Sequence, residues 1–431
     1  MKKRGQWYLL LFCFLYIAGF SRITERPVFA ETNASSEGAN AASEDANGTS
    51  EGANAASRGT NGASGGTVDV SAVSAVLIEG STGEILYEKD KDKELVPASI
   101  TKIMTLTLIF EALDSKKISL DDSVTVSEYA AGMGGSQVFL EPNETQTVND
   151  MIKCISIASA NDAATAMAEK IAGSEEAFVK KMNEKAKALG MEHTQFKNCT
   201  GLDDDITSGH YSSAYDVALM SRELITKHPE ISKYSTVWMD KITHKTKKGE
   251  SEFGLTNTNK LVRFYDGITG LKTGSTSKAK YCLSATARRN DMDLIAVVMA
   301  APDHKKRFSE AQALLDYGFA NCSIYKDPDI AGSLEEVPIQ GGTKNTVKTA
   351  PGSIFSHTFT SETDTDLITK KITYAENIKA PLEQGAVIGS VEYLYDNNSI
   401  GSIEIVAAEP VAEAGFTDYF MDALRKLFHK M

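Results

Sequence analysis

No Cys-x-x-Cys pair occurs in this chain of 431 residues, and its five cysteines, Cys13, Cys154, Cys199, Cys282 and Cys322, are scattered. A disulfide-stapled fold concentrates its cysteines in a shorter chain. These thiols therefore read as free, small and mostly buried apolar side chains. Positive charge is in deficit: 45 Lys and Arg stand against 58 Asp and Glu, a formal net charge of -13. That balance excludes a general nucleic-acid footprint. There is no His-Glu-x-x-His run, the helix-borne signature of many zinc peptidases, and the seven histidines form no ligand set. There is no Gly-x-Ser-x-Gly elbow either, which argues against an α/β-hydrolase triad. The apolar run at residues 7–20 is shorter than the roughly 20 residues a spanning helix needs.

That run has another reading. Lys2, Lys3 and Arg4 precede it, and Val28-Phe29-Ala30 supplies a small-x-small cleavage site after it. Residues 1–30 are thus expected to be a secretory signal peptide cut after Ala30, which makes the protein an exported one. Residues 31–67 follow as a spacer of Asn, Ala, Ser, Gly and Thr with a few charges, and the octet SEGANAAS occurs in it twice. It has too little apolar surface to offset chain entropy, so a flexible tether is expected.

Ordered structure is expected from Val68. Residues 75–79 and 84–89 read as a β-hairpin around GSTG. Residues 99–113 read as a helix with Ser99 near its start, 147–172 as a buried helical region, and 174–189 and 214–227 as further helices. Strands follow at 281–287 and 293–300, and a helix at 303–319. Strands at both ends with helices between imply an α/β (α+β) domain, set at 68–322. Short alternating segments between 352 and 408, punctuated by Gly, Pro and Asn, imply a small all-β domain at 323–412. In residues 415–431 the apolar positions, from Phe416 to Met431, fall on one helical stripe, with Arg425, Lys426, His429 and Lys430 toward the polar side. Such a helix suits either a membrane interface or a face of its own domain.

Three short motifs bear chemistry. In Ser99-Ile100-Thr101-Lys102 a helical turn brings hydroxyl and amine to one face. A serine becomes nucleophilic only when a base takes its proton, and a lysine serves as that base only if burial or nearby positive charge lowers its pKa. The same spacing recurs at Ser275/Lys278, Ser277/Lys280 and Ser323/Lys326, but only the first opens an apolar helix able to bury the amine. Ser159-Ala160-Asn161 interrupts an Ala-rich helical region with a hydroxyl and an amide, and reads otherwise as a helix cap. Lys272-Thr273-Gly274 precedes a strand-like run and is expected to start an edge strand, its glycine leaving room for substrate backbone.

Together and in this order, SxxK, SxN and KTG resemble the signature of penicillin-binding proteins and serine β-lactamases. The surrounding segments PASITKIMT, MGGSQVFLEPNE, IASANDAATAMAE, HYSSAYDVALMS, GLKTGSTSKA and APDHKKRF narrow the likeness to the low-molecular-weight D-alanyl-D-alanine carboxypeptidases, peptidase family S11, over about residues 70–320. The β-rich segment and the terminal helix resemble that family's C-terminal layout. The resemblance implies a β-lactamase/transpeptidase-like catalytic fold and an acyl-enzyme on Ser99, with Lys102 as general base. It implies that Ser159 and Asn161 assist proton transfer and substrate placement. Lys272 and Thr273, beside Gly274, would bind the terminal carboxylate, with Arg307 adding positive charge. Backbone N–H groups of Ser99 and Ser275 would form the oxyanion hole. No metal or cofactor is implied. The expected partners are peptidoglycan stem peptides, β-lactams as covalent inhibitors and, through the last helix, a membrane surface.

The competing readings are a DD-endopeptidase, a serine β-lactamase and a non-catalytic wall-binding protein. A β-lactamase would need a glutamate to activate the deacylating water, and Glu141 and Glu144 are the nearest candidates. A non-catalytic protein would be expected to have lost a motif residue, and none is lost.

Overall fold

The computed structural model describes residues 68–204, 208–360 and 363–421. The expected signal peptide, the spacer and the last ten residues of the expected terminal helix lie outside them.

Strand β1 (Ser74–Glu79) and strand β2 (Ile85–Lys89) form the expected hairpin. A 3₁₀ turn at Ala98–Thr101 leads into helix α1 (Lys102–Asp114). The expected helical region at 147–172 is two helices, α2 (Val148–Ser156) and α3 (Asn161–Ala172). The break has a local cause: Ser159 lies at φ 63, and Ala160 is extended ahead of α3. Helices α4 (Glu175–Ala188) and α5 (Ala214–Lys227) each start from a serine whose side chain accepts a backbone N–H of the first turn.

A hairpin of strands β3 (Met239–Thr246) and β4 (Gly249–Thr256) follows. It is absent from the sequence reading because only Ile242, His244 and Leu255 of its residues are buried, so it carries no apolar run. Strands β5 (Ile268–Thr276), β6 (Lys280–Arg289) and β7 (Met292–Ala301) then complete an antiparallel sheet in the order β2-β1-β7-β6-β5. Helix α6 (Lys306–Asn321) closes the domain.

Alternate residues of the central strands enter two different cores. Val76, Ile78, Ile295 and Val297 pack with α1 to α5, whereas Ala75, Leu77, Leu294, Ala296 and Val298 pack with Leu314 and Leu315 of α6. A sheet covered on both faces needs apolar residues at every position, which is why β1 and β7 read as continuous runs. Strand β5 lies at the sheet's edge, so one side of its backbone is free of sheet partners.

Beyond α6 the chain is all β, as expected. Strand β8 (Ser323–Asp327) pairs with strand β10 (Phe355–Phe359), and β9 (Thr349–Pro351), β11 (Ile368–Tyr374), β12 (Val387–Tyr395) and β13 (Asn398–Ala407) form a sheet in the order β9-β13-β12-β11. Asp396 and Asn397 both have positive φ (48 and 63), the geometry of a tight hairpin turn. This domain has its own core around Val391, Tyr393 and Ile405. Phe355 stacks on Tyr393 at 3.7 Å, and the Tyr393 hydroxyl donates to Asp327. Cys154, Cys199, Cys282 and Cys322 are free thiols, the first three buried. Residues 416–421 are helical, and no described helix is long and apolar enough to cross a membrane.

Candidate active site

The site is assembled from three separate pieces of chain around the turn that carries Ser99. Ala98 sits in this turn at φ 48, a conformation that an L-residue keeps only when its surroundings impose it. Gly201 imposes part of it. A Cβ there would come within 1.8 Å of the Ala98 carbonyl oxygen, so only glycine lets the 198–203 loop close against the turn. Ser99 is half-buried at the cleft, and Lys102 opens α1 with no exposure at all.

The Lys102 ammonium donates to Ser99 Oγ at 3.2 Å, to Asn161 Oδ1 at 2.6 Å and to the Thr200 carbonyl at 2.7 Å. An ammonium has three N–H donors, so all are used. Loss of one proton leaves two donors for the fixed amide and carbonyl acceptors. The freed lone pair then faces Ser99 Oγ. Burial pushes the Lys102 pKa down to about 7, although the Cys199 thiol and the Asp162 carboxylate act the other way. Asp162 does not pair with the lysine. Its carboxylate accepts the N–H groups of Val138, Leu140 and Ala163.

The second piece is the break between α2 and α3. Its left-handed Ser159 and the first residue of α3 place Ser159 and Asn161 in the cleft wall, each 3% exposed. Asn161 is fixed from two sides: its Nδ2 donates to the Gly134 carbonyl and its backbone N–H to Ser136 O. Ser159 Oγ is buried and has no protein partner among the described residues.

The third piece is β5. The KTG motif lies inside this strand rather than at its start, paired in register with Ser284, Leu283 and Cys282 of β6. Gly274 has a further role. A Cβ on it would lie 2.8 Å from the Pro97 carbonyl and 3.1 Å from Ile100 N. The turn that carries Ser99 itself needs this space. Lys272 is buried, and its pKa is pushed well down by burial and by the positive charges of Lys102 and Arg307. Thr273 Oγ1 donates to Thr258 Oγ1 at 2.7 Å. Arg307 Nη1 donates to the Gly274 carbonyl at 3.2 Å, while its buried Nε has no protein partner among the described residues. Ser275 is exposed next to them. The structure thus brings Ser99, Lys102 and Asn161 into direct contact and sets the KTG strand and Arg307 against the same turn. Arg307 keeps positive charge beside the two lysines, whose pKa values burial lowers, and this suits an anionic group.

Three contributors were not among the expected site residues. The Thr200 carbonyl holds the lysine, Thr258 holds Thr273, and His210 steadies the turn. His210 Nδ1 accepts the Lys197 N–H, so Nε2 carries the proton shared with Thr101 Oγ1 at 3.0 Å. Burial pushes the His210 pKa down to about 4, which keeps it neutral. The glutamates weighed for water activation are engaged elsewhere. Glu144 is buried against His244 and Gln146, and Glu141 pairs with Lys248.

The family model of D-alanyl-D-alanine carboxypeptidases matches residues 60–303, and that of the penicillin-binding protein 5 C-terminal domain matches residues 319–413. The chain is 43% identical to D-alanyl-D-alanine carboxypeptidase DacF of Bacillus subtilis, over 81% of this chain and 88% of that protein. It is 33% identical to DacC of Escherichia coli, over 84% of this chain and 89% of that one. Among solved structures it resembles penicillin binding protein 5 of Haemophilus influenzae, with a TM-score of 0.69 and 32% identity, covering 81% of this chain and all of the other.

Proposed function

Since the chain belongs to the D-alanyl-D-alanine carboxypeptidase family, peptidase family S11, we propose that Ser99 is its nucleophile and Lys102 its general base. The protein is a serine carboxypeptidase of the penicillin-binding class that removes the terminal D-alanine of peptidoglycan peptides. The observation that carries the assignment is the Lys102 amine, buried and held 3.2 Å from Ser99 Oγ with no carboxylate to neutralise it.

In this reading Ser99 Oγ attacks the carbonyl carbon between the two D-alanines while Lys102 Nζ takes its proton. The C–N bond breaks, and the leaving amine receives a proton relayed from Lys102 through Ser159. Water then attacks the acyl-enzyme and frees Ser99. Backbone N–H groups of Ser99 and Ser275 stabilise the tetrahedral oxyanion, where a single donor contributes about 2.7–4 kcal/mol. Lys272, Thr273 and Arg307 hold the terminal carboxylate. β-Lactams acylate the same serine.

The reaction is tested by incubating the protein with a stem pentapeptide and measuring free D-alanine. Release from the pentapeptide is the expected result. Cleavage confined to cross-linked dimers would assign an endopeptidase instead. Arg307→Ala is expected to raise KM for that pentapeptide by roughly 10- to 100-fold, the loss of one charge-assisted contact. The same substitution should matter far less for a peptide with an amidated C-terminus. Equal losses on both would remove Arg307 from carboxylate recognition.

The protein works outside the cytoplasm, exported by the signal at 1–30 and standing off on the 31–67 spacer. The catalytic and β domains occupy 68–322 and 323–412. The segment at 415–431 anchors it to the outer face of the membrane. The described start of this segment supports the reading: Phe416 is 84% exposed, and Tyr419, Phe420 and Met421 are each more than half exposed. Mature protein is expected to sediment with anionic lipid vesicles, and a form ending at Ala414 to remain in solution. Equal sedimentation of the two would remove the anchor.

A further inference from the structure

Beside α4 lies a cavity of about 660 Å³, walled by that helix, by residues 195–197 and by Tyr129. Its size falls within the range of about 300–1,000 Å³ usual for small-ligand sites. Its walls are pinned to one another. Asn183 of α4 donates to the Phe196 carbonyl at 3.0 Å and accepts the Phe196 N–H at 2.8 Å. Tyr129 stands on a helical turn at Glu128–Ala131, and it is 55% exposed. The ring is nevertheless held. Its hydroxyl donates to Glu175 Oε2 at 2.7 Å, and Ser127, which caps the turn, donates to Glu169 Oε1 at 3.0 Å. An exposed aromatic face kept in one orientation loses little freedom when a ligand covers it.

The lining does not favour a charged ligand. Three carboxylates, of Glu169, Glu175 and Glu176, are set against two ammonium groups, of Lys180 and Lys197. Two of the carboxylates are already engaged, Glu169 by Ser127 and Glu175 by Tyr129 and by the Cys199 N–H at 2.9 Å. Neither an anion nor a cation is therefore strongly selected. What the cavity does offer is an aromatic face beside both donors and acceptors, including the exposed Gln195 amide and the exposed Glu176 carboxylate. That combination suits a sugar. A pyranose lays its C–H face on an aromatic ring, and its hydroxyl and acetamido groups both donate and accept.

We propose that this cavity docks a glycan strand bearing acetamido groups, the sugar backbone of peptidoglycan, at a place separate from the cleft at Ser99. The proposal rests on the carboxypeptidase reading above, which makes that polymer the substrate. One sugar ring covers Tyr129, and the hydroxyl and acetamido groups beside it bond to Glu176 and Gln195. A second attachment to the same polymer raises the effective concentration of stem peptides at the cleft. The two sites adjoin without merging. Cys199 meets Glu175 at the cavity, whereas the carbonyl of the next residue, Thr200, accepts from Lys102 at 2.7 Å.

The test titrates the mature protein calorimetrically with chitotetraose, a linear tetramer of N-acetylglucosamine, and with maltotetraose, which lacks acetamido groups. Chitotetraose is expected to bind at least about tenfold more tightly than maltotetraose. Tyr129→Ala should weaken chitotetraose about tenfold and Gln195→Ala about fivefold. Tyr129→Phe keeps the ring and should keep the affinity. All three variants should release D-alanine from the free pentapeptide at the unaltered rate. No binding of chitotetraose, equal affinity for maltotetraose, or an affinity unchanged in both alanine variants overturns the proposal. A loss of D-alanine release in Tyr129→Ala would tie that residue to the cleft and overturn a separate site. The titration needs no chemistry at Ser99. If the unaltered protein binds chitotetraose yet releases no D-alanine, the carboxypeptidase reading is what fails. Tyr129 and Gln195 lie on different segments, so misfolding of one variant leaves the other to decide.

Discussion

With Ser99 replaced by alanine, intact-mass spectrometry is expected to find no benzylpenicillin adduct, where the unaltered protein gains one drug molecule per chain. D-Alanine release should fall by at least about 10⁴-fold, because removing the nucleophile of a serine hydrolase leaves only oxyanion stabilisation and binding. The fold should survive. Among the described residues the Ser99 side chain accepts one hydrogen bond, from Lys102 at 3.2 Å, and Lys102 keeps its shorter bonds to Asn161 and Thr200. A normal thermal transition for the variant would separate lost chemistry from lost structure. An adduct that persists on Ser99→Ala would move the nucleophile to another serine. Rapid drug loss without a lasting adduct would revive the β-lactamase reading, for which Glu141 and Glu144 are poorly disposed.

The second large effect concerns pH. Lys102 must be neutral to take the Ser99 proton, and burial holds its pKa at about 7. Below that value the amine is protonated and cannot accept. The acylation rate constant with benzylpenicillin should therefore drop about tenfold per pH unit on the acid side and level off above pH 7. Lys102→Arg sharpens the point, since a guanidinium stays protonated throughout. It should be slower by about 10²–10⁴-fold, the range ascribed to a positioned acid or base, and its residual rate should not follow the same profile. An acid limb that persists unchanged in Lys102→Arg would assign it to another group. His210, with its pKa held near 4, would inflect well below this limb.

Much of the site was legible because its chemistry is written in local spacing. Ser99 and Lys102 are one turn apart, so a helix is enough to bring them together. The hairpin at Ser74–Lys89 and the apolar runs of β1 and β7 were equally open to reading. Elements whose pattern is set by distant partners were not. The β3–β4 hairpin is polar along most of its length because only a few of its residues face inward. The helical region at 147–172 hid its break, because Ile, Ala and Met fill both halves and nothing in their order announces the left-handed turn at Ser159. The steric role of Gly274 against the Ser99 turn was hidden for the same reason. Its neighbours Pro97 and Ile100 are far away in the chain.

By itself the sequence determined the reaction class and the division into an α/β domain and a smaller β domain, and its motifs singled out the residues proposed as nucleophile, base and carboxylate-binding groups. Those follow from residue type and near-neighbour order, which the chain carries before it folds. Tertiary structure decided whether the residues work. The lysine is 59 residues from Asn161 and 98 from Thr200 along the chain. Only the folded protein can strip it of water, fix two of its N–H groups and turn the third position toward Ser99. The same holds for Asn161, which the carbonyls of Gly134 and Ser136 orient from another segment of the chain. A pKa and an orientation are properties of surroundings, and surroundings exist only once distant segments have packed.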